Sequence, residues 1–197
     1  MLLLSKEDIR KVVTMADIIE GNKVAYKRVV DGEVENPLRT VIPGKYDGSF
    51  VFMPAYAPGV DAAALKVVDI FPHNPEQGLK TSSAQVLLID GKTGYISAIL
   101  DGTYVTEART GAASGAAFDI LGKKECRKGA MIGTGGQAAC QLEAMLTARE
   151  LEEVAVYSRN KKKREAFAAE MQEELKEFGT RIYAADSADE AVEDADL

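Results

Sequence analysis

Tryptophan is absent from the 197 residues, histidine occurs once and cysteine twice. Cys126 and Cys140 cannot build a disulfide scaffold or a cysteine-rich metal site. His73 lies in a loop flanked by Pro72 and Pro75, so it cannot head a metal cluster and reads as a loop residue rather than a catalytic base. No Ser-His-Asp or Cys-His arrangement can be built around it. Long apolar runs are missing too: none approaches the roughly 20 residues of a membrane-spanning helix. There is no excess of basic charge. Lys plus Arg number 24 against 31 Asp plus Glu, a formal net charge of −7, which argues against a dedicated nucleic-acid binder. The opening Met1-Leu2-Leu3-Leu4-Ser5-Lys6-Glu7-Asp8 lacks a basic stretch before its short apolar run, so no signal peptide is expected. A cytoplasmic protein is the default expectation.

What is present is ordinary for a folded chain. Apolar residues make up 46% and charged residues 28%, too apolar for disorder. At about 100–200 residues per domain, the length allows one domain or two small ones.

The pattern changes along the chain. Met1–Leu4 is a short apolar run, and Ser5-Lys6-Glu7-Asp8 and Thr14-Met15-Ala16-Asp17 both have the form of a helix start. The apolar spacing of Ile18, Ile19, Val24, Ala25, Val29 and Val30 fits a helical face that stops at Asp31-Gly32. From Pro37 the chain reads as strands over 38–42, 49–56, 62–71, 84–90 and 95–100, separated by turn signals such as Asp47-Gly48 and Pro58-Gly59. Closely spaced strands without intervening helices predict a mainly antiparallel sheet. A helix over 103–121 follows, rich in Ala and Gly, with Gly122 placed to end it. Its small residues would let it approach another backbone, which marks it as a buried connector. From Lys128 the rhythm becomes β-α-β-α-β: strands over 130–132, 154–157 and 181–184, helices over 137–150 and 161–178, and a small helix from Ser187. Strands alternating with helices imply a parallel sheet.

One motif carries chemistry. Gly133-Thr134-Gly135-Gly136-Gln137-Ala138 matches G-x-G-x-x-A between an apolar strand and a long helix, within a unit of about 30 residues. Gly133 permits a tight turn, Gly135 lets the backbone approach a pyrophosphate, and Ala138 lets the helix pack on the strand. The helix N-terminus then offers free N–H groups to phosphates. A glycine-rich turn without a ligand is the plain alternative; the context favours a dinucleotide, NAD or NADP. About 20 residues on, a carboxylate should end the second strand and bind the adenosine ribose. Val154-Ala155-Val156-Tyr157 ends instead in Ser158-Arg159-Asn160, followed by Lys161-Lys162-Lys163-Arg164. That leans towards NADP, whose 2′-phosphate Arg159 could meet, unless the basic run is simply the solvated first turn of a helix.

Three further cations stand among apolar or small neighbours: Arg39, Lys66 and Arg109. A charge on a packed face needs a partner or ligand, and such cations would suit a carboxylate substrate. Strand alternation equally allows Arg39 and Lys66 to face water.

Taken together, these segments resemble the ornithine cyclodeaminase/mu-crystallin family of NAD(P)-dependent enzymes. The resemblance runs through Pro37-Leu38-Arg39, Leu65-Lys66-Val67-Val68, Phe71-Pro72-His73-Asn74 and Gly78-Leu79-Lys80-Thr81. It continues through Asp90-Gly91-Lys92-Thr93-Gly94, Val105-Thr106-Glu107-Ala108-Arg109-Thr110-Gly111 and Ile132-Gly133-Thr134-Gly135-Gly136-Gln137. It implies an α/β fold: an N-terminal α+β substrate and dimerisation domain with its connector helix, residues 1–125, followed by a Rossmann domain begun at 126–197. By the same resemblance, Arg39 and Lys66 bind the substrate carboxylate, Lys66 and Arg109 serve catalysis, and Thr81 and Arg109 lie against the cofactor. Gly133, Gly135, Gly136 and Gln137 line the pyrophosphate turn, and Ser158 with Arg159 meets the adenosine ribose.

The activity implied first is cyclodeamination of L-ornithine to L-proline and ammonia. Hydride leaves Cα for bound NAD, the side-chain amine closes on the resulting imine, ammonia departs and hydride returns. Other members run net redox chemistry, as alanine dehydrogenases or ketimine (imine) reductases, and mu-crystallin-like members bind small ligands without catalysis. A lean to NADP favours a reductase, because a cofactor recycled in place need not be NADP. A homodimer is implied, with no nucleic-acid or membrane partner. The family's catalytic Asp follows the fourth Rossmann strand, so it is expected beyond Leu197, in a Rossmann domain truncated at its C-terminal end.

Overall fold

Period-two apolar patterning from Thr40 onward folds into five strands, which Leu2–Leu4 completes to a six-stranded sheet, in a computed structural model that describes residues 1–197. Two units are distinguished: Met1–Thr14 with Val24–Thr106, and Met15–Lys23 with Glu107–Leu197. No helix is long and apolar enough to cross a membrane.

The first unit holds β1 (Leu2–Leu4), α1 (Lys6–Arg10), the end of α2 (Met15–Val30), β2 (Thr40–Pro43), β3 (Ser49–Ala57), β4 (Ala62–Ile70), β5 (Ser82–Asp90), β6 (Ile96–Asp101) and the start of α3 (Gly102–Leu121). The strand order is β1-β6-β5-β4-β3-β2; β1 runs parallel to β6 and every other pair is antiparallel. The Ser5 signal is realised as a capping box, with Ser5 Oγ accepting from the Asp8 amide at 3.2 Å and Asp8 accepting from the Ser5 amide. Tyr46 and Asp47, with φ of 60° and 56°, turn β2 into β3. The Asp90 carboxylate accepts from the amide and hydroxyl of Thr93 and so shapes the β5–β6 turn, with Gly94 at φ 74°.

The sheet is apolar on both faces, and they are covered differently. Val51, Ala84 and Ala98 are buried on one face. On the other, Ile42 pairs with Phe50 across β2–β3, and these two and Tyr56 remain exposed. Arg39 lies one residue before β2 rather than within the strand expected over 38–42. Proline at 37 and the exposed Leu38 leave the chain unpaired until Thr40.

The second unit contains β7 (Lys128–Ile132), α4 (Ala138–Ala148), β8 (Glu153–Tyr157), α5 (Lys161–Glu174), β9 (Arg181–Ala184) and α6 (Ala188–Val192), with the remainder of α3 and the first turns of α2. Its three strands form a parallel sheet, β7-β8-β9. Leu142, Val154 and Val156 are fully buried at its centre. The helix expected over 161–178 stops at Glu174 and continues as a tight 3₁₀ turn, Lys176–Phe178, which Gly179 ends at φ 70°.

The connector helix makes the close approach that its small residues foretell. A Cβ on Gly111 would stand 2.3 Å from the Cys140 carbonyl oxygen, and one on Gly115 would meet Ile19 at 2.7 Å and the Ala144 carbonyl oxygen at 3.2 Å. Ala108, Ala112 and Ala116 are buried along the same helix. Ile19 is itself buried, as is Met15, which ties the first turns of α2 to the second unit.

The end of α3 is stopped by more than Gly122. Arg149, buried at the end of α4, donates from Nη2 to the carbonyls of Phe118, Asp119 and Gly122 and from Nη1 to the Asp119 carboxylate at 3.0 Å. Phe118 also accepts from the Gly122 amide at 3.0 Å, but the carbonyls at the end of a helix run short of intrahelical donors, and a guanidinium is well suited to them. Lys23 adds a second cation to Asp119 at 2.5 Å. The Lys23 hydrogen bond, followed by that of Arg149, lowers the Asp119 carboxyl to about 2. Its stabilising contribution is therefore complete above the ordinary carboxylate range and is lost as pH falls from about 4 through about 2. Asp119→Asn is expected to lower the melting temperature at neutral pH, though by less than the full shift would imply, since the Asp119 side chain is 38% exposed and water screens the pair. Thermal unfolding across pH checks it: the gap from the parent should narrow steadily below pH about 4.

Candidate functional site

The glycine turn is built by the strand and helix that flank it. After Ile132, Gly133 takes φ +110° and donates its amide to the Tyr157 carbonyl at 2.7 Å, which ties the turn to the end of β8. An L side chain is strained at that φ. Gly135 has no heavy atom within 4 Å of where a Cβ would stand, and Gly136 has only Glu107 Oε1, at 3.8 Å. Added side chains would thus meet open space that a ligand can use. Gln137 caps α4 without a side-chain hydrogen bond and the Ala138 amide donates to the Gly135 carbonyl at 2.9 Å, so no side chain of the cap competes with an external anion at this helix end. A depression of about 210 Å³ is lined by Gly133, Gly135, Gln137, Ala138 and Gln141 together with Met131 and Ile132. These features fit a pyrophosphate.

The end of β8 lies beside that turn. Thr134 Oγ1 donates to Ser158 Oγ at 3.1 Å, and Ser158 is half-buried whereas Arg159 is exposed. Asn160 caps α5 by accepting from the Lys163 amide at 3.1 Å. Arg164 is only 6% exposed: its Nη1 donates to the Ser158 carbonyl at 3.1 Å, and its guanidinium stands 5.1 Å from the centre of the Tyr157 ring. Sequence reasoning passed over Thr134 and Arg164. Nothing in a run of four basic residues marks which of them folds inward, and the variable position of G-x-G carries no signal of its own.

In the same unit, Arg109 is an exposed side chain on α3, and its carbonyl accepts from Asn22 Nδ2 at 2.7 Å. The Thr110 carbonyl accepts from Gln141 Nε2 at 3.4 Å, joining the Arg109 segment to the wall of the depression.

The other candidates belong to the first unit. Lys66, half-buried in the middle of β4, pairs with Met53 on β3, and Thr40 pairs with the adjacent Phe52. Arg39 comes next before Thr40, so continuing the pairing by one residue would set it level with Lys66 two strands away, roughly 10 Å by strand spacing. Two long cationic side chains at that separation can share one carboxylate. Thr81 is placed elsewhere. It is exposed just before β5, with its carbonyl accepting from the Phe71 amide at 2.8 Å. Val86, the β5 partner of Lys66, is five residues further on, roughly 17 Å along the strand. The start of α3 packs at Thr81's end of β5: Gly102 sits against Ala84 and Gln85, and Thr103 Oγ1 accepts from the Ala84 amide at 3.0 Å.

In the first unit, then, the strand register carries Arg39 and Lys66 towards one level of the sheet while Thr81 stands apart. In the second, Gly133, Gly135, Gly136, Gln137, Ser158 and Arg159 cluster at the strand ends. No group of three or more His, Cys, Asp or Glu side chains is arranged to hold a metal ion.

The model of the ornithine cyclodeaminase/mu-crystallin family matches residues 1–197. This chain belongs to that family. Among curated members, it is 36% identical to the Delta(1)-pyrroline-2-carboxylate reductase of Bacillus cereus (strain ZK / E33L), over all of this chain and 60% of the relative. Among solved structures, it is 40% identical to the Thermococcus litoralis Delta(1)-pyrroline-2-carboxylate reductase in complex with NADH and L-proline. The TM-score there is 0.90, covering 100% of this chain and 60% of the other. A lysine cyclodeaminase structure, concerned with recognition of L-lysine, L-ornithine and L-2,4-diaminobutyric acid, is 29% identical with a TM-score of 0.79, over 100% of this chain and 58% of that one. The chain thus spans about 60% of the length of the curated relatives it matches. This chain has the α/β fold expected from the sequence, with a mixed sheet in one unit and a parallel sheet in the other, and shares it with the Thermococcus litoralis structure.

Proposed function

We propose that this chain serves an NAD(P)H-dependent reductase of cyclic imino acids, acting on a five-membered ketimine of the pyrroline-2-carboxylate type. The observation that carries the reading is its likeness over the whole chain to two reductases of that substrate, at 36% and 40% identity. Cyclodeamination of ornithine, the activity the resemblance implied first, gives way to the reductase alternative, since the cyclodeaminase likeness is weaker at 29%.

The residues take consistent parts in this reading. Arg39 and Lys66 hold the substrate carboxylate, and Lys66 with Arg109 orients the imine for reaction. Gly133, Gly135, Gly136 and Gln137 hold the pyrophosphate, Ser158 and Arg159 meet the adenosine ribose, and Thr81 and Arg109 lie towards the nicotinamide half. A bound nicotinamide cofactor supplies hydride to the imine carbon, while a proton is added to its nitrogen. The protein's contribution is charge neutralisation of the carboxylate and a fixed approach. A second copy of the chain would cover the exposed Ile42, Phe50 and Tyr56 of the sheet, as the implied homodimer requires.

A substrate panel on the full-length protein tests the reading. Δ1-pyrroline-2-carboxylate should drive oxidation of NADH or NADPH with formation of proline. Ornithine should release no ammonia. Ammonia and proline from ornithine, with the reduced cofactor untouched by the imine, would restore the cyclodeaminase. Cofactor binding without turnover of either substrate would favour a non-catalytic binding protein.

A further inference from the structure

A carboxylate reaches the glycine turn from another element of the same unit. Glu107, in the second turn of α3, brings Oε1 to 3.8 Å from where a Cβ on Gly136 would stand, and no other heavy atom comes within 4 Å of that point. A phosphate that uses the open space beside Gly136 therefore meets a negative charge across it.

Nothing neutralises that charge. Asp119, Glu153 and Asp196 of the same unit are half-buried like Glu107, and each meets a cation: Asp119 meets Lys23 and Arg149, Glu153 meets Arg181 at 3.3 Å, and Asp196 meets Lys123 at 3.0 Å. Glu107 enters no ion pair and no hydrogen bond. Arg109 is two residues further along α3, a spacing that turns the two side chains to different faces. The polar side chains bordering the turn are engaged elsewhere, Gln141 with the Thr110 carbonyl at 3.4 Å and Thr134 with Ser158 at 3.1 Å. A half-buried carboxylate without a partner is itself unfavourable. Beside an anion site it also lowers affinity, because like charges repel and a protein wall screens them less than water does.

We infer that Glu107 weakens retention of the cofactor: it opposes the pyrophosphate that Gly133, Gly135, Gly136 and Gln137 hold, and so speeds release of the spent nucleotide. The inference rests on the reductase reading, in which the oxidised cofactor leaves after every hydride transfer. A cofactor recycled in place has no such need. Affinity changes of this kind fall mostly on the dissociation rate.

Fluorescence titration and stopped-flow release of NADH and NADPH, on the full-length protein and on Glu107→Gln, read the effect directly. Glutamine keeps the size and removes the charge. Affinity for both nucleotides should rise by about 3- to 10-fold, and release should slow by the same factor. Glu107→Ala should follow Glu107→Gln, whereas Glu107→Asp, which keeps the charge, should stay within about twofold of the parent. ADP-ribose, which carries the pyrophosphate without the nicotinamide, should gain as much as NADH. Unchanged or weaker binding in Glu107→Gln and Glu107→Ala, an equal gain in Glu107→Asp, or no gain for ADP-ribose overturns the role of Glu107. Failure of the parent to bind NADH, NADPH and ADP-ribose overturns the dinucleotide reading instead. Tightened binding in a protein that turns over ornithine and not the imine overturns the reductase reading, and with it the purpose of release.

Discussion

Lys66→Met in the full-length protein is expected to raise the KM for Δ1-pyrroline-2-carboxylate by about 10- to 100-fold, the loss of one charge-assisted contact to a carboxylate. Methionine keeps most of the aliphatic stem, so the half-buried place of Lys66 between Met53 and Val86 stays filled and the sheet stays folded. Arg39→Ala should act in the same direction. Because Arg39 lies outside the paired strand, this change carries little risk to the fold. The double variant should lose less than the two effects combined, since both cations serve one anion. Cofactor affinity should be unaffected in all three, which separates a substrate defect from general damage. An unaltered KM in both single variants would remove the carboxylate site from Arg39 and Lys66.

Gly111→Val is expected to be the most damaging helix substitution. Its Cβ would stand 2.3 Å from the Cys140 carbonyl oxygen and 2.6 Å from the carbonyl carbon, both backbone atoms of α4 that cannot swing aside. Forcing α3 and α4 apart costs about 3 kcal/mol or more, a fall in melting temperature of about 6–12 °C. Gly21 offers the opposite case within α2. Nothing lies within 4 Å of its added Cβ, and its φ is not positive. Gly21→Ala should therefore stabilise by about 0.5–1 kcal/mol, through helix propensity and a less flexible unfolded chain. Thermal unfolding of the two variants beside the parent checks both signs. Two glycines within helices would then differ only because one faces a neighbouring backbone and the other faces water.

Much of this architecture was legible in the sequence because its signals are local. Alternating apolar residues with Asp-Gly and Pro-Gly turns announced the antiparallel strands, and the Ser5 box marked α1. The G-x-G-x-x-A turn was legible for the same reason: Gly133 with φ +110° and Gly135 beside open space are single-residue demands. Boundaries were read less well where tertiary partners decide them. Arg39 was placed on a strand and lies before one, because pairing with β3 begins only at Thr40. Gly122 was expected to stop α3, but the sequence carries no trace of Arg149 reaching from α4 to bind the same carbonyls.

The sequence by itself determined the family, the strand and helix types and the phosphate-binding turn, because each depends on residue type at short spacing. Only the tertiary structure decided which charges come near one another. Arg39 and Lys66 are far apart in the chain, and the β2–β3–β4 register brings Thr40, the neighbour of Arg39, opposite Phe52, the neighbour of Met53 that pairs with Lys66. Lys161, Lys162, Lys163 and Arg164 are chemically alike in sequence. The fold turns Arg164 beneath Ser158 and leaves Lys162 and Lys163 in water, because positions 161 and 164 share the side of α5 that meets Asp186 and Arg164 alone reaches the Ser158 carbonyl.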